Sequence, residues 1–444
     1  MKTLYPPQQK AAEHFLGCLK QGRHTLDTSE VGTGKTVVAA YLAKQLGMRV
    51  AIICPKAVIT MWDREMIEMG VEPDCVMNYE RIRTGKTAFL SKKGKKIMTW
   101  LFEEPTFVIF DEVHKCKGPW TQNAQLLISL VQQAKEGGHL IHAMSATAAE
   151  DPTEMRSLGF MLGLHKLNKR PNSWHNWMNR NGCSVDNWGK WKLLSRKKLK
   201  AVHCTLYGEE GAAYRLTIND FPDSFKENRV FIEALEFKDS KKILEAYDDY
   251  GVTPDIVEQY LEKGSVTEHE FDIVNILRAR QLAESLKVPD IVEMTGDLID
   301  QGKSVVIFVN FKDTAQALTE QLDCLSIIGG QNQYQRQAQI DDFMLDEKRI
   351  IVVNIAAGGT GLSLHDTQGL YPRVSLISPT FSAKDHLQAL GRIHRNGAKS
   401  HALQKILVAA GSVEETVVKS ITAKLANLNA LHAGEDEQYT RPHQ

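Results

Sequence analysis

Lys35 and Thr36 close the run Ser29-Glu30-Val31-Gly32-Thr33-Gly34-Lys35-Thr36, whose residue types and spacing suit a triphosphate. Gly32, Thr33 and Gly34 let backbone N–H groups turn inward around phosphate oxygens. Lys35 brings a point charge to the β and γ phosphates, and the Thr36 hydroxyl can ligate Mg²⁺. Ser29 stands where the generic pattern has Gly. Thr84-Gly85-Lys86-Thr87 has a similar composition but neither an apolar strand before it nor a helix after it, so it is set aside. Further on, the apolar run Phe107-Val108-Ile109-Phe110 delivers Asp111 and Glu112. Asp111 can hold Mg²⁺ through its water shell, and Glu112 can polarise a water that attacks the γ phosphate. Loop and carboxylates together point to nucleotide hydrolysis.

Other residues extend this chemistry with two readings each. The Gln8 amide donates and accepts at once, which suits an adenine edge as well as ordinary solvation. Lys56 and Asn78 follow apolar runs and are positioned for nucleic-acid phosphate or for solvent. The turn that contains Gly359, Thr360, Gly361 and Ser363 is either a structural tight turn or a close approach to a phosphate backbone. Arg392 and Arg395, three apart after Gln388, share one face of an expected helix. They are a solvated pair, or arginine fingers that reach across a cleft to the γ phosphate. Trp174, Trp177, Trp188 and Trp191 interleave with Lys190, Lys192, Arg196, Lys197, Lys198 and Lys200. Stacking and phosphate neutralisation would use both types; the favoured reading packs the tryptophans in a small helical subdomain and leaves a basic face outward. Lys92-Lys93-Gly94-Lys95-Lys96 is a solvated loop or a phosphate contact, and Cys183, His203 and Cys204 lack zinc-site spacing.

The elements that must position these groups alternate. A helix is expected over residues 10–20, buried parallel strands at 49–54 and 106–110, a helix at 59–69 and a strand before Ser145-Ala146-Thr147. Phe221-Pro222 through Phe237 reads as a connector, and 243–280 as helical with breaks at 251–254 and near Gly264. A second alternating pattern begins at Gly302, with a strand in the run 302–311 and further strands at 349–354 and 374–379. Charges balance, 54 basic against 54 acidic, so net charge names no partner. Seven cysteines without paired spacing suit a reducing compartment, and no apolar run reaches the ~20 residues of a membrane helix. With no signal-peptide core, a cytoplasmic protein is expected, or one of the host cytoplasm if viral.

In this order the motifs resemble a superfamily-two helicase core, most similar to Snf-type double-stranded DNA translocases, over Leu4 to about Leu431. Gln8 matches the adenine-reading motif, Ser29 to Thr36 motif I, Pro55 to Trp62 motif Ia and Asn78-Tyr79 motif Ib. Asp111 to His114 matches motif II, Ser145 to Thr147 motif III, Phe308 to Phe311 motif IV, Asn354 to Leu364 motif V and Gln388 to Gly397 motif VI. Trp62, the Ser145-Ala146-Thr147 turn followed by Glu154 to Leu164, the Phe221-Pro222 connector, and Gly391-Arg392-Ile393-His394-Arg395 carry the Snf-type likeness. Val113, Ala148 and Asn396-Gly397-Ala398-Lys399 depart from it.

The resemblance implies an α/β fold of two RecA-like, doubly wound parallel-sheet lobes with helical insertions between them. The expected boundaries are 1–160 for the ATP-binding lobe, 161–285 for a helical and basic insertion with the connector, 286–432 for the helicase lobe and 433–444 for a disordered tail. It implies ATP and Mg²⁺, with Lys35, Asp111, Glu112, Gln388, Arg392 and Arg395 in catalysis. Gln8, Gly32, Thr33, Gly34, Lys35, Thr36 and Gly361 would hold nucleotide, Thr36 and Asp111 the metal. Lys56, Asn78, Gly359, Thr360, Ser363, Lys190, Lys197 and Lys198 would grip double-stranded or branched DNA. The chain is expected to act as a monomer. Strand separation on DNA or RNA, and a non-hydrolysing nucleic-acid scaffold, are the alternatives.

Overall fold

Val50 to Ile53 and Phe107 to Phe110 carry no polar side chain, the pattern of strands covered on both faces, and they form the middle of a six-stranded parallel sheet. In spatial order its strands are Ala213–Tyr214, Thr25–Asp27, Leu140–Met144, Thr106–Asp111, Arg49–Cys54 and Cys75–Asn78. The computed structural model describes residues 3–93, 97–118, 120–186, 189, 191–195, 197–221, 225–263, 270–358 and 362–432.

The chain divides into two compact units between Phe221 and Pro222. The separate segment expected over 161–285 is thus shared out. Its first part contributes the edge strand Ala213–Tyr214 to the first sheet, and its last part belongs to the second unit.

Thr25–Asp27 is a strand directly ahead of the phosphate loop, one that the sequence pattern does not mark. All three are buried, and Thr25 Oγ1 lies 2.9 Å from His142 Nδ1 on the neighbouring strand. Polarity satisfied across the sheet hid the strand. The first helix also starts earlier than expected, at Pro6, since a proline suits a first helical turn. The helix Ile59–Met69 lies where its pattern placed it. Thr84 to Thr87 leads into a three-stranded antiparallel sheet, Lys86–Thr87 with Leu90–Lys93 and Ile97–Trp100, so a strand and not a helix follows it. Gly94, Lys95 and Lys96 lie outside the described residues.

In the tryptophan-rich segment the helices Trp174–Arg180 and Lys197–Tyr207 flank a hairpin of Cys183–Val185 and Trp191–Leu193, so the subdomain is mixed rather than purely helical. Trp174 and Trp177 are buried while Lys197 and Lys198 are exposed.

The second unit holds another six-stranded parallel sheet, ordered Asn228–Leu235, Ala402–Ala409, Arg373–Ile377, Ser304–Val309, Ile350–Asn354 and Leu325–Ile327. The expected connector therefore contains a strand. Asn228–Leu235 pairs along its whole length with Ala402–Ala409. Its exposed Val230, Phe231 and Ile232 give it no amphipathic alternation to read. Helices Ser240–Asp249, Pro254–Lys263 and Glu270–Leu286 supply the helical part, broken after Gly251 as expected. No helix among the described residues is long and apolar enough to cross a membrane, and residues 433–444 lie outside the description.

Candidate functional site

Open α/β sheets present ligand sites beyond the carboxyl ends of their strands. In the first unit three strand ends converge in one charge cluster: Asp27, Asp111 and the turn after Met144. The phosphate loop leaves Asp27, and Gly32 (φ 89°) and Gly34 (φ 92°) take the left-handed conformations the turn needs. Helix Lys35–Leu46 starts directly behind, with Thr36 in its first turn.

Lys35 Nζ donates to the carbonyls of Ser29 at 2.6 Å and Glu30 at 3.0 Å, so the ammonium is held inside the loop. Burial pushes the Lys35 pKa down and that of Asp27 up, while the attraction between the two opposes both shifts. Thr33 is buried, and its hydroxyl donates to Glu30 O at 2.8 Å. Gln8 is fixed beneath the loop: Nε2 donates to Thr33 O at 2.8 Å, and Oε1 accepts the Tyr5 N–H at 3.0 Å. A Cβ at Gly34 would collide with Gln8 Nε2.

Ser29 now has a reason. Its Oγ accepts the Leu216 N–H at 2.9 Å, a bond glycine cannot make. Arg215 Nη1 donates to Thr28 O at 2.8 Å, and its Nη2 meets Glu30 Oε1 at 3.1 Å. The loop is thereby tied to the edge strand Ala213–Tyr214 and its exit. Arg215 escaped the sequence reading, since no motif marks a residue that acts from so far along the chain.

Asp111 is buried at its strand end and held from two sides. The Trp62 indole N–H donates to Oδ2 at 2.9 Å, and Tyr79 Oη donates to the backbone carbonyl at 2.8 Å. Burial, then repulsion from Glu112, raises the Asp111 pKa to about 7, against the pull of Trp62 and Lys35. Glu112 takes a left-handed backbone (φ 52°, ψ 48°), which turns its side chain away from the strand direction. Its Oε2 lies 3.0 Å from His114 Nδ1 and accepts from Ser145 Oγ at 3.3 Å, while His114 Nδ1 is 2.9 Å from Ser145 Oγ. Carboxylate, imidazole and hydroxyl thus link the turn after Asp111 with the Ser145-Ala146-Thr147 turn. Lys117 bridges the same two stretches through Glu154 at 2.7 Å and Glu150 at 3.4 Å.

The grip candidates of this unit are spread out. Lys56 is exposed on a short 3₁₀ turn beyond the Arg49–Cys54 strand. Asn78 Oδ1 accepts the Arg81 N–H at 2.7 Å and caps the helix Tyr79–Ile82, a local role that the sequence did not suggest. Lys190 lies outside the described residues.

In the second unit the arginine pair departs from its expected geometry. Helix Ala383–Leu390, which buries Gln388, ends with Gly391 as its cap, so Arg392 and Arg395 follow in turns and share no helical face. They converge nonetheless. Arg392 Nη1 and Arg395 Nη2 both donate to Leu362 O, at 3.1 and 2.9 Å, and Arg395 Nε donates to Gly391 O at 3.1 Å. Burial lowers the Arg395 pKa to about 10. Ser363 is half-buried beside this carbonyl, whereas Gly359, Thr360 and Gly361 lie outside the described residues. Asn354 Nδ2 donates to Asn310 O at 2.9 Å and Asn354 Oδ1 accepts the Ala357 N–H at 3.2 Å, so two strand ends are joined at the entrance to that turn.

Residues 287–397 match the family described as "Helicase conserved C-terminal domain". A protein of Acanthamoeba polyphaga mimivirus, provisionally named an ATP-dependent RNA helicase, is 31% identical across 98% of this chain and 84% of its own length. The DNA repair protein RAD5 of Yarrowia lipolytica is 25% identical over 36% of this chain, a segment that spans only 16% of that relative. The solved SWI2/SNF2 ATPase core of Sulfolobus solfataricus in complex with double-stranded DNA aligns at 16% identity and a TM-score of 0.37, over 98% of this chain and 94% of its own.

Proposed function

This chain belongs to the Snf-like superfamily-two helicases, and on that footing we propose that it hydrolyses ATP to translocate on double-stranded DNA, remodelling DNA structures or displacing bound proteins. The observation that carries the hydrolytic part is the cluster of Lys35, Asp111, Glu112, His114 and Ser145 at the carboxyl ends of one sheet.

The donors suit Mg²⁺: Thr36 and Asp111 offer hard oxygens, and a buried carboxylate with a raised pKa gains from a cation. Mg²⁺ supplies charge neutralisation on the phosphates when bound. Lys35 exchanges the carbonyls of Ser29 and Glu30 for phosphate oxygens. Glu112 orients the attacking water, with His114 and Ser145 holding its carboxylate. Arg392 and Arg395 stabilise charge on the transferred phosphoryl group, Gln388 supports that motif, and Gln8 and Gly361 contribute to nucleotide binding. Lys56, Asn78, Gly359, Thr360, Ser363, Lys190, Lys197 and Lys198 hold the nucleic-acid backbone with little sequence preference. The protein acts as a monomer.

DNA is favoured by the likeness to a relative named a DNA repair protein. The name of the mimivirus relative favours a second reading, strand separation on RNA. Displacement of a third strand from a DNA triplex separates them. ATP-dependent displacement without duplex unwinding supports translocation, and unwinding of RNA duplexes without triplex displacement overturns it.

A further inference from the structure

Asn228–Leu235 ends the second sheet: one edge pairs with Ala402–Ala409, and among the described residues no strand pairs with the other. Such an edge is a template for another chain, and proteins commonly blunt it with lysine, proline, a bulge or a covering element. This strand carries neither lysine nor proline, and its pairing runs without a bulge through all 8 residues. Val230, Phe231 and Ile232 at its middle are exposed.

Hydrogen-bond parity decides which residues would meet a newcomer. Glu227 O accepts the Ala402 N–H and Leu235 O the Ala410 N–H, both at 3.0 Å, so the odd-numbered residues address Ala402–Ala409. In a parallel ladder the direction of the peptide groups alternates along the strand. The backbone N–H and C=O groups of Asn228, Val230, Ile232 and Ala234 therefore point outward.

We propose that this edge pairs with the same strand of a second copy of the chain, antiparallel, about a two-fold axis at Phe231. That axis sets Val230 opposite the partner's Ile232, so outward groups bond to outward groups. It also sets Arg229 opposite the partner's Glu233, twice over by symmetry. Phe231 meets the partner's Phe231 in a non-hydrogen-bonded pair, where facing side chains approach most closely. Moving the axis by one residue keeps the parity but loses the charge match. At Val230 it would set Glu227 against the partner's Glu233, and at Ile232 it would set Arg229 against the partner's Leu235.

Within one chain Arg229 already forks onto Glu227, at 2.9 and 3.0 Å, and Glu233 holds Lys405 at 3.0 Å. The guanidinium has donors beyond that fork, and a carboxylate accepts from more than one cation, so both groups can also take the partner. The Arg229 side chain is 63% exposed. No motor residue lies on this strand, so each copy remains an acting unit and the pairing links two of them. An edge of this length makes a small interface, whose association depends on concentration.

The test is sedimentation velocity of the full chain from about 1 to about 100 μM, the range of weak association. Wild type should shift from monomer to dimer across the series. Ile232→Pro removes an outward N–H and no ladder bond of the sheet, and it should stay monomeric. Arg229→Glu and Glu233→Arg each set like charges opposite one another, and each should weaken dimerisation by about tenfold or more. Mixed in equal amounts, these two variants are complementary at both positions and should pair as wild type does. A wild type that stays monomeric overturns the proposal, and so does a folded Ile232→Pro that still dimerises. If Ile232→Pro loses its unfolding transition, the mixture decides: a mixture that dimerises no more than either variant alone overturns it.

Discussion

The Trp62 indole N–H donates to Asp111 Oδ2 at 2.9 Å, and this bond joins the helix Ile59–Met69 to the carboxylate expected to hold Mg²⁺. Removing an outer partner of a metal ligand commonly weakens the metal by ~10-fold or more. Trp62→Phe should therefore raise the Mg²⁺ concentration for half-maximal ATP turnover by about that factor. A Mg²⁺ titration of steady-state turnover checks it, and an unchanged midpoint removes the orienting role.

Asp111 also makes a pH prediction. Its folded pKa of about 7 exceeds the ordinary aspartate value of 3.8, so between these values the folded chain binds more protons than the unfolded one. Stability contributed by the neutral carboxyl is then lost as pH rises through this window. Asp111→Asn keeps an acceptor for Trp62 and removes the buried charge. Without nucleotide it should melt several degrees above wild type at pH 8, and the gap should close toward pH 4. A gap that widens at low pH contradicts the assignment.

Ser29→Gly brings the phosphate loop closer to its generic pattern yet deletes the acceptor for the Leu216 N–H. It should cost about 1 kcal/mol of stability. Denaturant unfolding reads this directly, and a neutral or stabilising result means the bond does not tie the loop to its neighbouring strand.

Arg392→Ala and Arg395→Ala should each lower ATP turnover far more than nucleotide affinity, since their work is on developing charge. Turnover and equilibrium binding of a fluorescent nucleotide check both. Equal losses in the two quantities would point instead to the Leu362 carbonyl that both residues hold.

Sequence patterns disclosed the glycine-rich turn ahead of helix Lys35–Leu46, the Asp111 and Glu112 pair at a strand end and the buried parallel strands because each is local: a few adjacent residues carry the whole signal. They did not disclose Thr25–Asp27 or Asn228–Leu235, whose polar or unalternating residues become strands only through their neighbours in the sheet. The arginine pair shows the same limit. Spacing suggested a helical face, but Gly391 ends the helix, and convergence comes from a shared carbonyl at Leu362. Trp62, Arg215 and Ser29 gained roles for a related reason, since their partners lie far away in sequence. Lys56, Lys197 and Lys198 are exposed, as a basic face requires.

The most direct test of the motor is steady-state ATP turnover by wild type and Glu112→Gln with no nucleic acid, duplex DNA, single-stranded DNA, branched DNA or RNA. The account predicts that duplex or branched DNA stimulates wild type most. It also predicts that Glu112→Gln binds ATP but fails to turn it over under every condition. Stimulation by RNA alone, or normal turnover by Glu112→Gln, would contradict it.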